Sequence, residues 1–210
     1  MTERGRFITF EGGEGGGKST QARRLAAWLC ELGHPVLLTR EPGGSAGAER
    51  IRALLLGGDG FDPVAEALLM FAARRDHLVT AIRPALAAGI WVVCDRFADS
   101  TRAYQVAGQG VEAGVFRDLA RIALDGVVPD ITLILDLPPE VGMARAAGRG
   151  TAADRYERLD PGFHTRVRGG FRAIAAEEPH RCALVDASGD ADSVWTSLRS
   201  ETARRLGLPA

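Results

Sequence analysis

Residues Phe10 to Thr20 read FEGGEGGGKST. The apolar run Phe7-Ile8-Thr9-Phe10 delivers the chain into glycines at 12, 13, 15, 16 and 17, interrupted only by Glu14, and Lys18-Ser19-Thr20 then open a helical pattern. Gly12-x-x-x-x-Gly17-Lys18-Ser19 between a strand and a helix is a full phosphate-binding loop. Glycines let successive backbone N–H groups converge on a phosphate without a Cβ in the way, and the helix start adds its positive end. The spacing sends Lys18 to the β and γ oxygens of a nucleoside triphosphate and the Ser19 hydroxyl to Mg²⁺. Gly12, Gly13, Glu14, Gly15, Gly16, Gly17, Lys18, Ser19 and Thr20 are therefore the expected phosphate-binding residues of a nucleotide site.

Lys18 is the only lysine in the chain, and the other 25 of its 26 basic residues are arginines. A compact ammonium on a flexible stem suits a tight phosphate loop better than a planar fork does. The chain uses lysine only at the position where that chemistry asks for it.

With 210 residues, 46% of them hydrophobic, the expectation is one well-buried core in a single domain. A net charge of -1 argues against a general nucleic-acid or membrane-surface binder, so any anion site should be local. Cys30, Cys94 and Cys182 are far apart and share no C-x-x-C spacing. They suggest neither a disulfide frame nor a zinc site and read as core. The first residues lead straight into the first strand with no signal-peptide apolar region, and no segment approaches a membrane span, which points to a cytoplasmic protein.

Five continuous apolar runs read as strands buried on both faces: Arg6 to Phe10, Pro35 to Thr39, Ile90 to Cys94, Ile131 to Leu137 and Cys182 to Val185. Helical patterns separate them, so the expected class is α/β, a three-layer phosphate-loop fold with a five-stranded parallel sheet. The first helix carries Ala22, Leu25, Ala26, Leu29 and Leu32 on one face. A second spans about Ala46 to Leu56, and a third starts near Pro63 with the stripe Val64, Ala67, Leu68, Phe71 and Arg75. Ser100 to Ala107 reads as a short helix and Pro139 to Arg149 as another. Apolar periodicity then lapses, and residues 148–162 become a candidate lid.

Ligands of an open parallel sheet collect beyond the carboxyl ends of its strands. Thr39-Arg40-Glu41 follows the second strand and Asp95-Arg96-Phe97 the third, so two arginines reach the edge where the phosphates sit. Position leaves phosphate contacts and structural ion pairs both open. The acid after an apolar strand tilts Asp95 towards magnesium. Periodicity alone makes Phe71 a core residue.

FEGGEGGGKST, TREPGG (39–44), LMFAARRDHL (69–78), DRFADSTRAYQ (95–105) and the arginine-bearing stretch Arg149 to Arg158 together resemble bacterial thymidylate kinases, in the family's order over most of the chain. The resemblance implies transfer of a phosphoryl group from ATP to thymidine monophosphate, with Mg²⁺, by a cytoplasmic homodimer. It implies that Phe71 stacks on thymine and Arg75 contacts the base, that Arg40 and Arg96 hold the monophosphate, and that Asp95 sits near magnesium and the transferring phosphate. Glu14 would meet the nucleoside sugar, and Ser100, Thr101, Tyr104 and Gln105 would line base and deoxyribose. Asp186-Ala187-Ser188 would lie beside adenine. Two departures are Phe97, where the family often has Tyr or His, and Gly15-Gly16, where one subgroup carries an arginine. Catalytic positive charge should then come from the lid, from Arg149 or Arg155. Three alternatives share the loop: a kinase of another small molecule, a GTP-driven switch, and an ATP-driven partner-binding protein. Guanine recognition by Asn-Lys-x-Asp is absent, since the chain has no asparagine and no second lysine.

Overall fold

In the computed structural model, which describes residues 4–58, 60–148 and 155–209, the five apolar runs form one all-parallel sheet. Its strands are β1 (Phe7–Gly12), β2 (Val36–Arg40), β3 (Trp91–Asp95), β4 (Ile131–Asp136) and β5 (Cys182–Asp186), in the order β2-β3-β1-β4-β5. Parallel neighbours need crossovers, and helices supply them on both faces. Because β1 is central, its carboxyl end lies between those of β3 and β4, where the strand order reverses and ligands gather.

Strand alternation divides the core. Ile8 and Phe10 point to the face covered by α1 (Lys18–Glu31) and α9 (Ala191–Leu206), packing with Leu25, Leu29, Leu133, Val194 and Leu198. Leu25 and Leu29 are fully buried, each contributing about 1.5–3 kcal/mol of apolar burial. Phe7 faces the other way, into a cluster with Leu78, Ile82, Val92 and Phe97. Thr9 and Glu11 share that face by the same period of two. There Thr9 Oγ1 meets Thr132 Oγ1 at 2.9 Å, and Glu11 reaches beneath the turn that follows β3.

Helix starts obey ordinary capping. Ser45 accepts from Ala48 N at the head of α2 (Ala46–Leu56), Asp62 precedes Pro63 at the head of α3 (Pro63–His77), and Asp160 precedes Pro161 at the head of α8 (Pro161–Glu177). After α3 the backbone widens into a π stretch, Leu78–Ile82, and continues as α4 (Arg83–Ala87). After β3 the short α5 (Ala98–Thr101) opens into a second π stretch, Arg102–Gly108, followed by α6 (Ala113–Leu124); α7 (Pro139–Ala147) follows β4.

Two expectations need correction. Cys30 is exposed while Cys94 and Cys182 are buried: on α1, Leu29 takes the inward position and Cys30 turns about 100° away from it. The buried stripe of α3 is also rotated. Leu68 is 50% exposed, whereas Glu66, Ala67, Ala73, Arg74 and His77 are buried alongside Phe71. Polar residues occupy the inner face because each finds a buried partner there, Glu41 for Arg74 and His77 and Gln105 for Glu66. Among the described residues no helix is long and apolar enough to cross a membrane.

Candidate active site

A cavity of about 570 Å³ opens at the carboxyl ends of β1, β2 and β3. Its floor is the glycine loop from Glu14 through Thr20. Gly12 has φ 130°, and a Cβ there would lie 2.4 Å from the Leu135 carbonyl oxygen; at Gly15, with φ 69°, a Cβ would come within 1.9 Å of the Gly142 carbonyl oxygen. The loop therefore threads against β4 and α7 at positions only glycine tolerates. Lys18 Nζ donates to the Gly13 carbonyl at 2.6 Å. Burial, and next the nearby Arg96 charge, lower the Lys18 pKa to about 8. An ammonium held this way gains most when an anion arrives beside it.

Ser19 Oγ donates to Asp95 Oδ2, so the two expected magnesium ligands lie side by side, one at the head of α1 and one at the end of β3. Among the described residues no group of three His, Cys, Asp or Glu could cage a metal. Two hard oxygen donors beside a phosphate loop nevertheless fit Mg²⁺, which is commonly held by one or two protein oxygens together with substrate phosphates.

The second wall comes from the turn after β3. Arg96 adopts φ 70°, a left-handed backbone unusual for a side-chain-bearing residue. Its guanidinium donates to the Gly12 carbonyl (3.1 Å), Ser100 Oγ (3.2 Å), Glu14 Oε1 (2.6 Å) and the Tyr104 hydroxyl (3.0 Å). The buried Tyr104 hydroxyl donates to the same Glu14 oxygen at 2.6 Å, and burial holds its pKa well above the usual phenol range. Beneath this turn, Glu11 Oε1 accepts from the Phe97 and Ser100 backbone N–H groups, and Oε2 bonds the Ser100 hydroxyl at 2.5 Å. Burial first, and the Asp99 charge second, raise the Glu11 pKa to about 8. Asp99 is itself clamped by the buried Arg181 through two bonds of 2.7 and 2.9 Å.

Arg40 borders the cavity from β2, tied to Glu49 at 3.0 Å. Ser100, Thr101, Tyr104 and Gln105 all line it, the last two from the π stretch that carries them inward. Gln105 is held by Glu66 at 2.8 Å. On the nucleotide-loop side, Arg145 borders the cavity and donates to the carbonyls of Ala187, Ser188 and Gly189, fixing the loop after Asp186.

Phe71 and Arg75 do not line the cavity. Phe71 packs on Phe116, centroids 5.6 Å apart, and Arg75 reaches the Ala123 carbonyl and Asp125 near the surface. The cavity instead takes Met70 and Arg74, also one turn apart, so the inward face of α3 lies one residue earlier than the sequence suggests. An arginine at both 74 and 75 hides this choice, and only the buried partner of Arg74, Glu41, decides it.

Arg155 is not at the phosphate loop either. Its guanidinium is bound to the buried carboxylate of Glu66, whose other oxygen accepts from the Tyr156 hydroxyl at 2.5 Å. A buried carboxylate recruits the nearest cation, and Glu66 takes this one. Arg149 and the rest of residues 149–154, within the lid expected at 148–162, lie outside the described residues. Glu11, Glu41, Met70, Arg74, His77, Arg145 and Tyr156 escape the sequence reading. Glu11 left one usable signal, an acid inside an otherwise apolar strand.

A family model described as thymidylate kinase matches residues 10–197. The chain is 55% identical over 210 residues to a thymidylate kinase of Caulobacter vibrioides, covering 99% of this chain and 100% of that one. It is 52% identical over 216 residues to a thymidylate kinase of Bradyrhizobium diazoefficiens, covering 99% and 93%. A solved thymidylate kinase structure from Ehrlichia chaffeensis superposes with a TM-score of 0.78 at 36% identity, covering 94% of this chain and 98% of that one. With a phosphate loop and an arginine-bearing strand end meeting in one cavity, and with these likenesses running nearly end to end, the chain belongs to the thymidylate kinase family.

Proposed function

We propose that this protein transfers the γ-phosphoryl group of ATP to thymidine monophosphate, giving ADP and thymidine diphosphate. The observation that carries the reading is the meeting of two cationic arms in one cavity, Lys18 from the glycine loop and Arg96 and Arg40 from the neighbouring strand ends. Two anions held there face each other, and a wall of Met70, Arg74, Tyr104 and Gln105 remains for a base and sugar.

The acceptor is a phosphate oxygen already ionised at neutral pH, so no general base is required. The chain's work is to align two anions and to offset the charge that spreads over the transferring group. Backbone N–H groups of residues 13–18 and Lys18 hold the ATP phosphates. Arg40 and Arg96 hold the monophosphate, with Arg96 aimed by Glu14, Ser100 and Tyr104. Ser19 and Asp95 hold Mg²⁺, which when bound neutralises charge on the ATP phosphates. Met70 covers one side of the base, and Arg74, with N–H groups to spare, meets its carbonyl edge. Glu14, joined to Tyr104, faces the deoxyribose. Arg145 and the loop 187–189 border the adenine.

The protein works in the cytoplasm as a homodimer whose contact is the α3–α6 face, where Leu68 and Ile122 are 50% and 63% exposed. Sedimentation of Leu68→Asp, which should be monomeric, tests that contact. The activity is tested by coupled ADP release with each nucleoside monophosphate in turn. Thymidine monophosphate should give the highest kcat/KM, and a better acceptor would overturn the substrate. Vigorous ATP hydrolysis without any acceptor would favour a partner-binding ATPase.

A further inference from the structure

Behind the wall that Arg74 presents to the cavity lies a chain of polar groups, buried except at its half-buried end, Thr39. Glu41, just past the end of β2, accepts from Arg74 Nε through Oε2 at 2.6 Å. Its other oxygen, Oε1, faces His77 Nδ1 at 3.0 Å, and His77 Nε2 meets Thr39 Oγ1 at 2.9 Å. Arg74 and His77 sit three residues apart on α3 and so share a face. His77 is fully buried and does not line the cavity.

Each link has a defined direction. A carboxylate paired with a guanidinium can only accept, so the proton between His77 and Glu41 sits on Nδ1. In the neutral ring Nε2 is then the acceptor, and the Thr39 hydroxyl donates to it. The space is shaped for this ring: a Cβ on Gly44 would come within 2.3 Å of Nε2, so the second glycine of TREPGG leaves room for the imidazole.

At the other end, Arg74 spends one N–H on Glu41, one of Nη1 on Thr101 Oγ1 (3.1 Å) and one of Nη2 on the Phe97 carbonyl (2.9 Å). A guanidinium has five N–H donors, so one remains on each terminal nitrogen. The phenyl rings of Phe71 and Phe97, with centroids 4.9 and 5.3 Å from the guanidinium carbon, limit its rotation. Only the link through Glu41 connects this orientation to His77.

We infer that His77 is a positioning residue for the acceptor nucleotide: through Glu41 it fixes the edge of Arg74 that meets the base. This rests on the reading of Arg74 given above. Without His77 the Glu41 carboxylate is free to turn, and the Arg74 edge moves with it.

Steady-state kinetics of His77→Leu, His77→Asn and Thr39→Val test the inference. Asparagine places its amide nitrogen near the position of Nδ1 and keeps the donor to Glu41. Thr39→Val removes only the hydroxyl that orients the ring and keeps the protein foldable should His77→Leu fail. His77→Leu and Thr39→Val should raise KM for thymidine monophosphate about tenfold, the scale of one misplaced polar contact. The kcat and the KM for ATP should stay within about twofold, and His77→Asn should recover most of the loss. An unchanged acceptor KM in Thr39→Val, an equal rise in both KM values, or an asparagine variant as impaired as leucine would each overturn it. Arg74→Gln separates the two failures. If it too leaves the acceptor KM unchanged, the reading of Arg74 falls and this inference with it. If it raises KM while Thr39→Val and His77→Leu do not, the positioning role of His77 alone is lost.

Discussion

Glu14, the one acid within the glycine loop, receives the Arg96 guanidinium and the Tyr104 hydroxyl on the same oxygen, each at 2.6 Å. The glycine loop is thereby tied to two residues of the cavity's other wall. Glu14→Gln removes the carboxylate charge from both bonds without changing shape, leaving only the bond from Arg96 charge-assisted. It should raise KM for thymidine monophosphate about tenfold and leave KM for ATP within about twofold. Titrating each substrate separately checks this, and a rise confined to ATP would contradict it.

Arg74 and Arg75 are adjacent in sequence and should behave as opposites. Arg74→Ala removes a cavity donor and strands the buried Glu41 carboxylate, so it should raise acceptor KM and cost about 3–5 kcal/mol of stability. Arg75→Ala loses one largely exposed pair and should change stability by less than about 1 kcal/mol, with kinetics near wild type. Denaturant melts and initial rates on both variants decide between faces of α3.

For Arg155 the pairing with Glu66 makes stability the first readout. Glu66 would keep Tyr156 and Gln105 as partners but lose its cation. Arg155→Ala should therefore lower Tm, and Glu66→Gln should restore it by removing the charge that needs compensating. A large fall in kcat with unchanged Tm would instead return Arg155 to the role the sequence suggests, at the transferring phosphate.

Glu11 supplies a pH signature. Its pKa in the folded protein is about 8 against 4.5 ordinarily, so the fold favours its neutral form. The stabilisation this gives is fully present below pH 4.5 and is lost as pH rises through 8. Glu11→Gln has no such proton to lose. Its stability should exceed that of wild type increasingly across that window, by an amount on the order of a few kcal/mol at pH 9. Parallel pH profiles for the two proteins would dismiss the effect.

The fold was legible because its signals are local. Five apolar runs of strand length, separated by patterns with a 3.6-residue period, admit few arrangements other than a parallel sheet with helices on both faces. The observed strands differ from the runs by at most two residues at either end. The glycine loop, Ser19 beside Asp95, and Arg40 and Arg96 at the neighbouring strand ends were legible for the same reason: loop, strand end and helix start are adjacent in the chain, and the parallel sheet brings strand ends together.

What the sequence by itself determined was thus the sheet, the phosphate loop and the family. Which face of α3 turns inward was decided only in three dimensions. Val64, Ala67, Leu68 and Phe71 make a good apolar stripe that runs on to Arg75, yet buried Glu41, 33 residues before Arg74, draws Arg74 and His77 inward and leaves Leu68 in solvent. In the same way Glu66 claims Arg155, and Glu11 supports the turn that carries Arg96. Local periodicity measures apolar area. The partner of a buried charge is set by distance in space, which no spacing along the chain records.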